Sequence, residues 1–153
     1  MKKIVVFLSF LIFSWLGEAS TGVEYTQLEE KDGTVYYQGE KYTGKVSRGK
    51  DRYYYENGKA NGTWLWFYPN GNLKTIETWR EGKLQGKYIL YLENGNPVMK
   101  TSYWKGKDMG EYLLYYPNGM LRVKGRYEYG KPIGVWEYYT ETGKLKAKGK
   151  EVL

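Results

Sequence analysis

Beyond the first twenty residues, tyrosine and tryptophan supply nearly half of the hydrophobic positions of this chain, which are set in short runs that alternate with polar residues. Leu121 and Val123, for example, alternate with Arg122 and Lys124. Alternation with a period of two indicates strands that bury one face. Tyrosine and tryptophan suit half-wet pleated surfaces better than a sealed aliphatic core. With 20 glycines and frequent Asn-Gly pairs, the pattern predicts an all-β fold.

A period of 24 residues runs through the chain and is clearest at glycine and aromatic positions. The glycine columns are Gly62, Gly86, Gly110 and Gly134, then Gly71, Gly95, Gly119 and Gly143, then Gly58, Gly82, Gly106 and Gly130. The aromatic columns are Trp64, Tyr88, Tyr112 and Trp136, then Phe67, Tyr91, Tyr115 and Tyr139, then Tyr55, Trp79, Tyr103 and Tyr127. So many columns in one register predict tandem repeats.

Each repeat is predicted to be one β-hairpin. Its tip is an Asn-Gly pair, as at Asn118-Gly119, interpreted as a two-residue turn because both residues tolerate positive φ. A Gly-Lys-x-x-Gly segment then forms the return turn to the next hairpin. Four such repeats over residues 59–153 predict eight strands of one elongated, single antiparallel sheet. A degenerate first repeat at 33–58 and a flexible lead at 20–32 are expected before them.

The repeat resembles a known family. The segment Gly110-Glu-Tyr-Leu-Leu-Tyr-Tyr-Pro-Asn-Gly119, continued to Gly130-Lys-Pro-Ile-Gly134, resembles the bacterial variant of the MORN repeat. The opening Tyr36–Lys45 resembles the lead-in of the members described as YwqK-like antitoxins, and the resemblance extends from Gly33 to Gly149. It implies an elongated sheet of hairpins used for partner binding, with toxin neutralisation proposed for some members.

The first nineteen residues have the composition of a secretory signal peptide. Lys2 and Lys3 form the positive end, Ile4–Leu16 the apolar stretch, and Gly17 and Ala19 supply small residues for a signal peptidase. The stretch is shorter than the ~20 residues of a spanning helix, so we expect cleavage near Ala19, with a retained anchor as the alternative. Export to the periplasm, the cell surface or the medium follows. Because an antitoxin is expected in the cytosol, export favours a surface or immunity-like role.

The two faces of the predicted sheet differ. A two-residue turn at Asn118-Gly119 places Tyr116 opposite Leu121, Leu114 opposite Val123 and Tyr112 opposite Gly125, which makes one face apolar. On that face Trp136 opposite Gly149 is interpreted as a ring that covers a strand glycine. The predicted core residues are Trp64, Trp66, Tyr88, Leu90, Tyr112, Leu114 and Trp136.

The opposite face carries a row of rings beside basic side chains. Tyr115 is expected opposite Arg122, and Tyr139 opposite Lys146, with the basic residues of successive repeats as neighbours. The candidate ligand face consists of Phe67, Tyr91, Tyr115, Tyr139, Arg122, Lys124, Arg126, Lys146, Lys148 and Lys150. The basic groups would attract anions and the rings would stack or hydrogen-bond. The alternative is a solvated face whose lysines protect the sheet edge from aggregation.

The amino-acid composition excludes several classes of catalytic and metal-binding site. The chain has no cysteine and no histidine, which removes thiol nucleophiles, disulfides, zinc clusters and imidazole catalysis. We therefore expect a protein that is not an enzyme and uses no cofactor. The formal charge of +7 becomes +6 without residues 1–19, and this balance favours anionic partners.

The leading hypothesis is an exported protein-interaction module of immunity, adhesion or envelope-scaffold type. Binding of anionic lipid or cell-wall polymer through the basic tyrosine face is the second hypothesis, and carbohydrate or choline recognition is a third. Export and the interspersed acids Glu77, Glu93, Glu111 and Glu137 make nucleic acid a poor partner. Because a single sheet leaves its apolar face uncovered, a second copy could also bind there.

Overall fold

The computed structural model describes residues 22–150, so the predicted signal peptide lies outside the described residues. Apart from a single turn of 3-10 helix at Tyr25–Gln27, the regular elements of this part of the chain are strands. They are β1 (Val23–Glu24), β2 (Glu29–Lys31), β3 (Thr34–Tyr37), β4 (Glu40–Lys41), β5 (Gly44–Arg48), β6 (Asp51–Glu56), β7 (Lys59–Ala60), β8 (Gly62–Phe67), β9 (Leu73–Arg80), β10 (Lys83–Tyr91), β11 (Pro97–Trp104), β12 (Lys107–Asp108), β13 (Gly110–Tyr115), β14 (Leu121–Glu128), β15 (Lys131–Tyr139) and β16 (Leu145–Gly149).

Thirteen strands form one large sheet, in the order β1-β5-β6-β8-β9-β10-β11-β13-β14-β15-β16, with β7 beside β6 and β12 beside β11. Every pair in it is antiparallel except β1 with β5. The predicted all-β sheet of tandem hairpins is confirmed. Strands β2, β3 and β4 form a second, three-stranded sheet that the repeat pattern did not predict.

The hairpin tips have three-residue loops, so the two-residue prediction for the Asn-Gly pairs was wrong. Around Asn118, the Tyr116 N–H donates to the Met120 carbonyl at 2.8 Å and the Gly119 N–H donates to the Tyr116 carbonyl at 2.9 Å. Only Gly119 has a positive φ, of 85°. Pro117 starts a type I turn because its ring fixes φ near −65°, and the glycine then takes the left-handed position.

The longer tip changes the pairing beside it. A bulge follows Leu114, so Tyr115 lies opposite Leu121 and not Arg122. In the last repeat Tyr139 likewise lies opposite Leu145 and not Lys146. Further from the tip the predicted pairs hold, including Leu113 with Lys124.

The return turns are the two-residue turns of this fold. At Glu81-Gly82 both residues have positive φ, 51° and 77°, and Lys105-Gly106 has 49° and 80°. Positive φ at both central residues is the type I′ geometry that matches strand twist. The second glycine of Gly-Lys-x-x-Gly lies in a bulge, as Gly86 does between Leu84 and Tyr88. Two turn types therefore alternate along the sheet.

The aromatic face carries the predicted core rings. Tyr112 pairs with Gly125 and Trp136 with Gly149, as expected. The ring of Trp136, however, covers Gly125, where an added Cβ would overlap it, whereas nothing lies within 4 Å of a Cβ at Gly149. The expectation that this ring covers Gly149 was wrong, because the bulge at Gly134 and Val135 places Trp136 over the preceding strand.

The N-terminal part of the chain closes over this face. Residues 23–31, within the segment expected as a flexible lead, form β1, the 3-10 turn and β2. The small sheet β2–β4 contributes to a buried cluster made of Val35, Val46, Tyr53, Tyr55 and Trp64. The rings of Tyr53 and Trp64 lie 4.9 Å apart. Burial raises the pKa of Tyr55 to about 12, as expected for a hydroxyl removed from water.

Candidate ligand surface

The face opposite the aromatic face carries most of the charge, and we call it the charged face. It is set by strand alternation: on β14, Arg122, Lys124 and Arg126 are exposed while the residues between them point to the aromatic face. Side chains directly opposite these residues on β13 and β15 share the same side. Lys124 is thus flanked by Leu113 and Glu137. The predicted basic residues of β14 and β16 lie on this face.

The predicted row of rings stands at the end of the first strand of each hairpin, immediately before the loop. Phe67, Tyr91, Tyr115 and Tyr139 are all half-buried there. Two of them contact charged groups. The Lys100 ammonium lies 5.4 Å from the centre of the Tyr115 ring, and the Tyr139 hydroxyl donates to a Glu137 carboxylate oxygen at 2.7 Å. The row therefore consists of side chains held in place by the sheet, with part of each ring exposed.

Two of the six predicted basic residues are engaged by acids. Lys148 contacts Glu137 at 2.7 Å, and Lys124 contacts Glu111 at 3.5 Å. Because β15 lies between β14 and β16, Glu137 separates Lys124 from Lys148, and the expected direct contact between basic residues of successive repeats does not occur. The hydrogen bond from Lys148 lowers the pKa of Glu137, and the Glu137 partner raises the pKa of Lys148. The two lysines of the row Lys124, Glu137 and Lys148 are therefore paired with acidic groups of the protein itself.

The remaining basic residues of the candidate ligand face are more available to a ligand than Lys124 and Lys148. Arg126, Lys146 and Lys150 are exposed and form no ion pair within residues 22–150. The Arg122 guanidinium lies 5.6 Å from the centre of the Tyr116 ring. The candidate surface thus divides into an internally paired row and four cations directed at solvent or an aromatic ring.

The Arg122–Tyr116 contact belongs to a motif that the sequence analysis missed. The Tyr116 hydroxyl donates to the Tyr139 carbonyl of the next hairpin at 2.8 Å. Two repeats earlier, Tyr68 donates to the Tyr91 carbonyl at 2.7 Å and lies under Lys74 at 5.6 Å. The signal in the sequence is Tyr-Pro-Asn-Gly, which occurs in the first and third repeats. These tyrosines connect neighbouring hairpins.

Three depressions follow the charged face along the repeats. The first has a volume of 520 Å³ and is lined by Arg80, Glu81, Lys83, Gln85, Trp104 and Lys105. The second, of 320 Å³, includes Lys87, Ile89, Lys100 and Leu113, and the third, of 340 Å³, includes Lys124, Arg126, Val135 and Glu137. Glu111 lines both of the latter two. Only Lys124 and Arg126 of the predicted residues line them.

The described residues offer neither a metal cluster nor a membrane-spanning helix. No group of three or more acidic, histidine or cysteine side chains in residues 22–150 is placed to hold a metal ion. The same part of the chain has no helix long and apolar enough to cross a membrane. The side chains of the charged face can stack, form hydrogen bonds and attract anions.

Comparison with known protein families gives one match. A family model described as the MORN repeat variant matches four segments, residues 60–81, 84–105, 110–129 and 132–150. Each segment spans the end of one return turn, a hairpin tip and the strand that follows. No curated protein matches the chain.

Proposed function

This chain belongs to the MORN repeat variant family, and we propose that it is an exported, non-catalytic module that binds a protein partner across its charged face. MORN repeats are often protein- or lipid-binding modules, and the family is generally non-catalytic. A non-catalytic role is consistent with the composition, because the chain has no cysteine and no histidine. Within this scope, an immunity-like, adhesion or envelope-scaffold role is the function we favour.

The observation that carries the proposal is the set of unpaired cations beside half-exposed rings. Arg126, Lys146 and Lys150 have no ion pair in the described chain, and the Tyr115 and Tyr139 rings lie on the same face. Arginine and tyrosine are enriched at protein interfaces because each combines a large contact area with hydrogen bonding. An acidic, partly aromatic surface on the partner would complement this arrangement.

A second candidate function is binding of anionic lipid or wall polymer. The same unpaired cations favour it, because clustered lysines and arginines are attracted to anionic surfaces. The two candidates differ in their dependence on salt. A polymer or lipid held mainly by exposed charges is released at high salt, whereas a packed protein interface loses less affinity.

Charge reversal at two unpaired positions tests the proposal. Protein is purified from the exported fraction, with an N-terminus expected near Ser20, and used to capture partners from envelope and cytosol lysates. The variant Arg126→Glu with Lys150→Glu is expected to lose at least tenfold of the captured protein, since it places like charges opposite an acidic partner. Circular dichroism checks that the sheet remains folded.

The matched control is Lys107→Glu with Lys131→Glu, which makes the same charge change at the return turns. It should retain the partner at both low and high salt. Equal loss in both double variants would show that net charge and not this surface governs binding. Binding only to vesicles that contain anionic lipid, abolished by salt, would establish the second candidate instead.

A further inference from the structure

We propose that the 520 Å³ depression between the second and third return turns binds an acidic saccharide, meaning an oligosaccharide whose sugar rings bear carboxylates. This site lies on β9–β11, in the middle of the large sheet, and shares no lining residue with the surface around Arg126 and Lys150. It is a separate binding site that goes beyond the proposed partner surface. Its volume is within the range of small-ligand sites, roughly 300–1,000 Å³.

The walls of the depression combine an open ring with cations. Trp104 is 45% exposed, and Arg80, Lys83 and Lys105 form no ion pair within the described residues. A flat indole can stack on the apolar side of a sugar ring, and arginine binds a carboxylate or phosphate through two parallel hydrogen bonds. Together these groups recognise a ring and an anion on one ligand.

Two further polar side chains favour a saccharide over a bare anion. The Gln85 amide can donate and accept hydrogen bonds, and the Glu81 carboxylate can accept them from hydroxyl groups. A carboxylate repels a ligand that carries only negative charge, but it complements a hydroxyl-rich ring. We therefore favour a sugar over inorganic phosphate or a polyphosphate.

The depression is held in place by the backbone. It lies between the type I′ turns Glu81-Gly82 and Lys105-Gly106, whose backbone angles are alike. The Gly106 N–H donates to the Leu84 carbonyl at 2.8 Å, which ties the second turn to the strand that carries Lys83 and Gln85. The backbone of this site therefore needs little reordering when the ligand binds.

No other junction between repeats has the same groups. The position of Trp104 is held by Glu56, Arg80 and Glu128 in the other repeats. Near Glu56, Lys59 is occupied by hydrogen bonds to the Gly33 carbonyl and the Thr34 hydroxyl, at 2.9 and 2.7 Å. An open indole with unpaired cations on the facing strands therefore occurs at one junction of the described repeats.

Titration with defined sugars tests the proposal. The ¹⁵N-labelled full-length chain is titrated with trigalacturonate, maltotriose, adenosine monophosphate and inorganic phosphate, and the indole N–H signal of Trp104, assigned by its loss in Trp104→Phe, is followed. Trigalacturonate should shift this signal to saturation, and the other probes should bind at least tenfold more weakly. Trp104→Leu and Arg80→Gln with Lys83→Gln should each weaken trigalacturonate binding at least tenfold.

Matched controls separate this site from general charge. Lys107, the counterpart of Lys83 in the next repeat, should tolerate change to Gln without loss of affinity. Arg126→Glu with Lys150→Glu should also leave trigalacturonate binding intact, so failure here and failure of the partner proposal are separate results. Equal binding of maltotriose, phosphate or the nucleotide, an unmoved Trp104 signal, or full binding by Trp104→Leu would overturn the proposal.

Discussion

The N-terminal region, residues 22–82, and the C-terminal region, residues 107–150, use the same hairpin but cover its aromatic face differently. In the N-terminal region the small sheet β2–β4 lies over the rings, and Val35 is buried among Val46, Tyr53 and Tyr55. The two layers are joined by backbone hydrogen bonds, among them Val35 N–H to the Gly58 carbonyl at 2.8 Å. In the C-terminal region the rings cover one another in a single layer.

The C-terminal rings pack by contact along the sheet. Trp136 lies 5.7 Å from Tyr112 and 5.1 Å from Tyr127, and only 2% of its surface is exposed. It is the one aromatic residue of residues 107–150 that is buried. The difference teaches that a strict repeat leaves its aromatic face without a covering layer, whereas the irregular leading segment covers that face and concentrates the packed core there.

The largest expected effect is from truncation of the central ring of the N-terminal cluster. Trp64 packs against the rings of Tyr53, Tyr55 and Trp79 at tilted angles, and its indole N–H donates to the Tyr54 carbonyl at 2.9 Å. We expect Trp64→Ala to lower the free energy of unfolding by about 3–5 kcal/mol, because it leaves a cavity and removes the indole hydrogen bond. Urea denaturation followed by circular dichroism measures the loss.

The exposed Trp104 is the control for this change. Trp104→Ala should cost no more than about 0.5 kcal/mol, as for other surface substitutions. Equal losses in the two variants would break the comparison, since stability would then not be concentrated in the two-layered region.

The fold was predictable from the sequence because the 24-residue period indicates where each hairpin begins and ends. The face of each strand also followed, as for Leu113 opposite Lys124, because alternation fixes the side of each residue. The Asn-Gly tips were misassigned because the residue before the pair also belongs to the loop, as Pro117 does at Asn118-Gly119 and Glu93 does at Asn94-Gly95, which adds one residue to the loop. That residue moved Tyr115 away from Arg122.

The closing layer and the candidate sites were less predictable. The strands β2–β4 lie outside the 24-residue period, so the repeat pattern does not predict them. Val35 becomes a core residue only because its strand packs on the large sheet. The ion pair of Lys148 with Glu137 was also hidden, since it depends on which strand lies between two repeats. The Trp104 depression arises from side chains of three successive strands, and no spacing within one repeat reveals it.

A mid-sized effect is expected where the single layer is packed most tightly. An alanine at Gly125 would place its Cβ inside the Trp136 ring, so the ring must move out. We expect Gly125→Ala to destabilise the C-terminal hairpins by about 1–3 kcal/mol, the usual cost of overpacking. Because repeat proteins couple mainly to their neighbours, hydrogen exchange should speed up in β14–β16 and remain unchanged in β5 and β6.

Gly149 is the matched control, because it occupies the same column one repeat later with no atom within 4 Å of an added Cβ. Gly149→Ala should change the free energy of unfolding by less than about 0.5 kcal/mol. Faster exchange in β5 and β6 of the Gly125→Ala variant would show that the two regions unfold together, which would contradict the division drawn between them.

The smallest effect concerns a turn position that the two regions fill differently. Asn57 has a φ of 49° and Tyr129, three repeats later, has a φ of 50°. Asparagine tolerates this left-handed conformation, whereas an exposed tyrosine gains nothing there to offset the strain. We expect Tyr129→Asn to stabilise the chain by about 0.5–1 kcal/mol, part of the roughly 1–2 kcal/mol that the conformation costs. The reciprocal change Asn57→Tyr should destabilise it by a similar amount in urea denaturation. Opposite signs in the two variants would show that turn chemistry follows the same rule in both regions, and a loss of stability in Tyr129→Asn would mean that the tyrosine ring itself stabilises the last return turn.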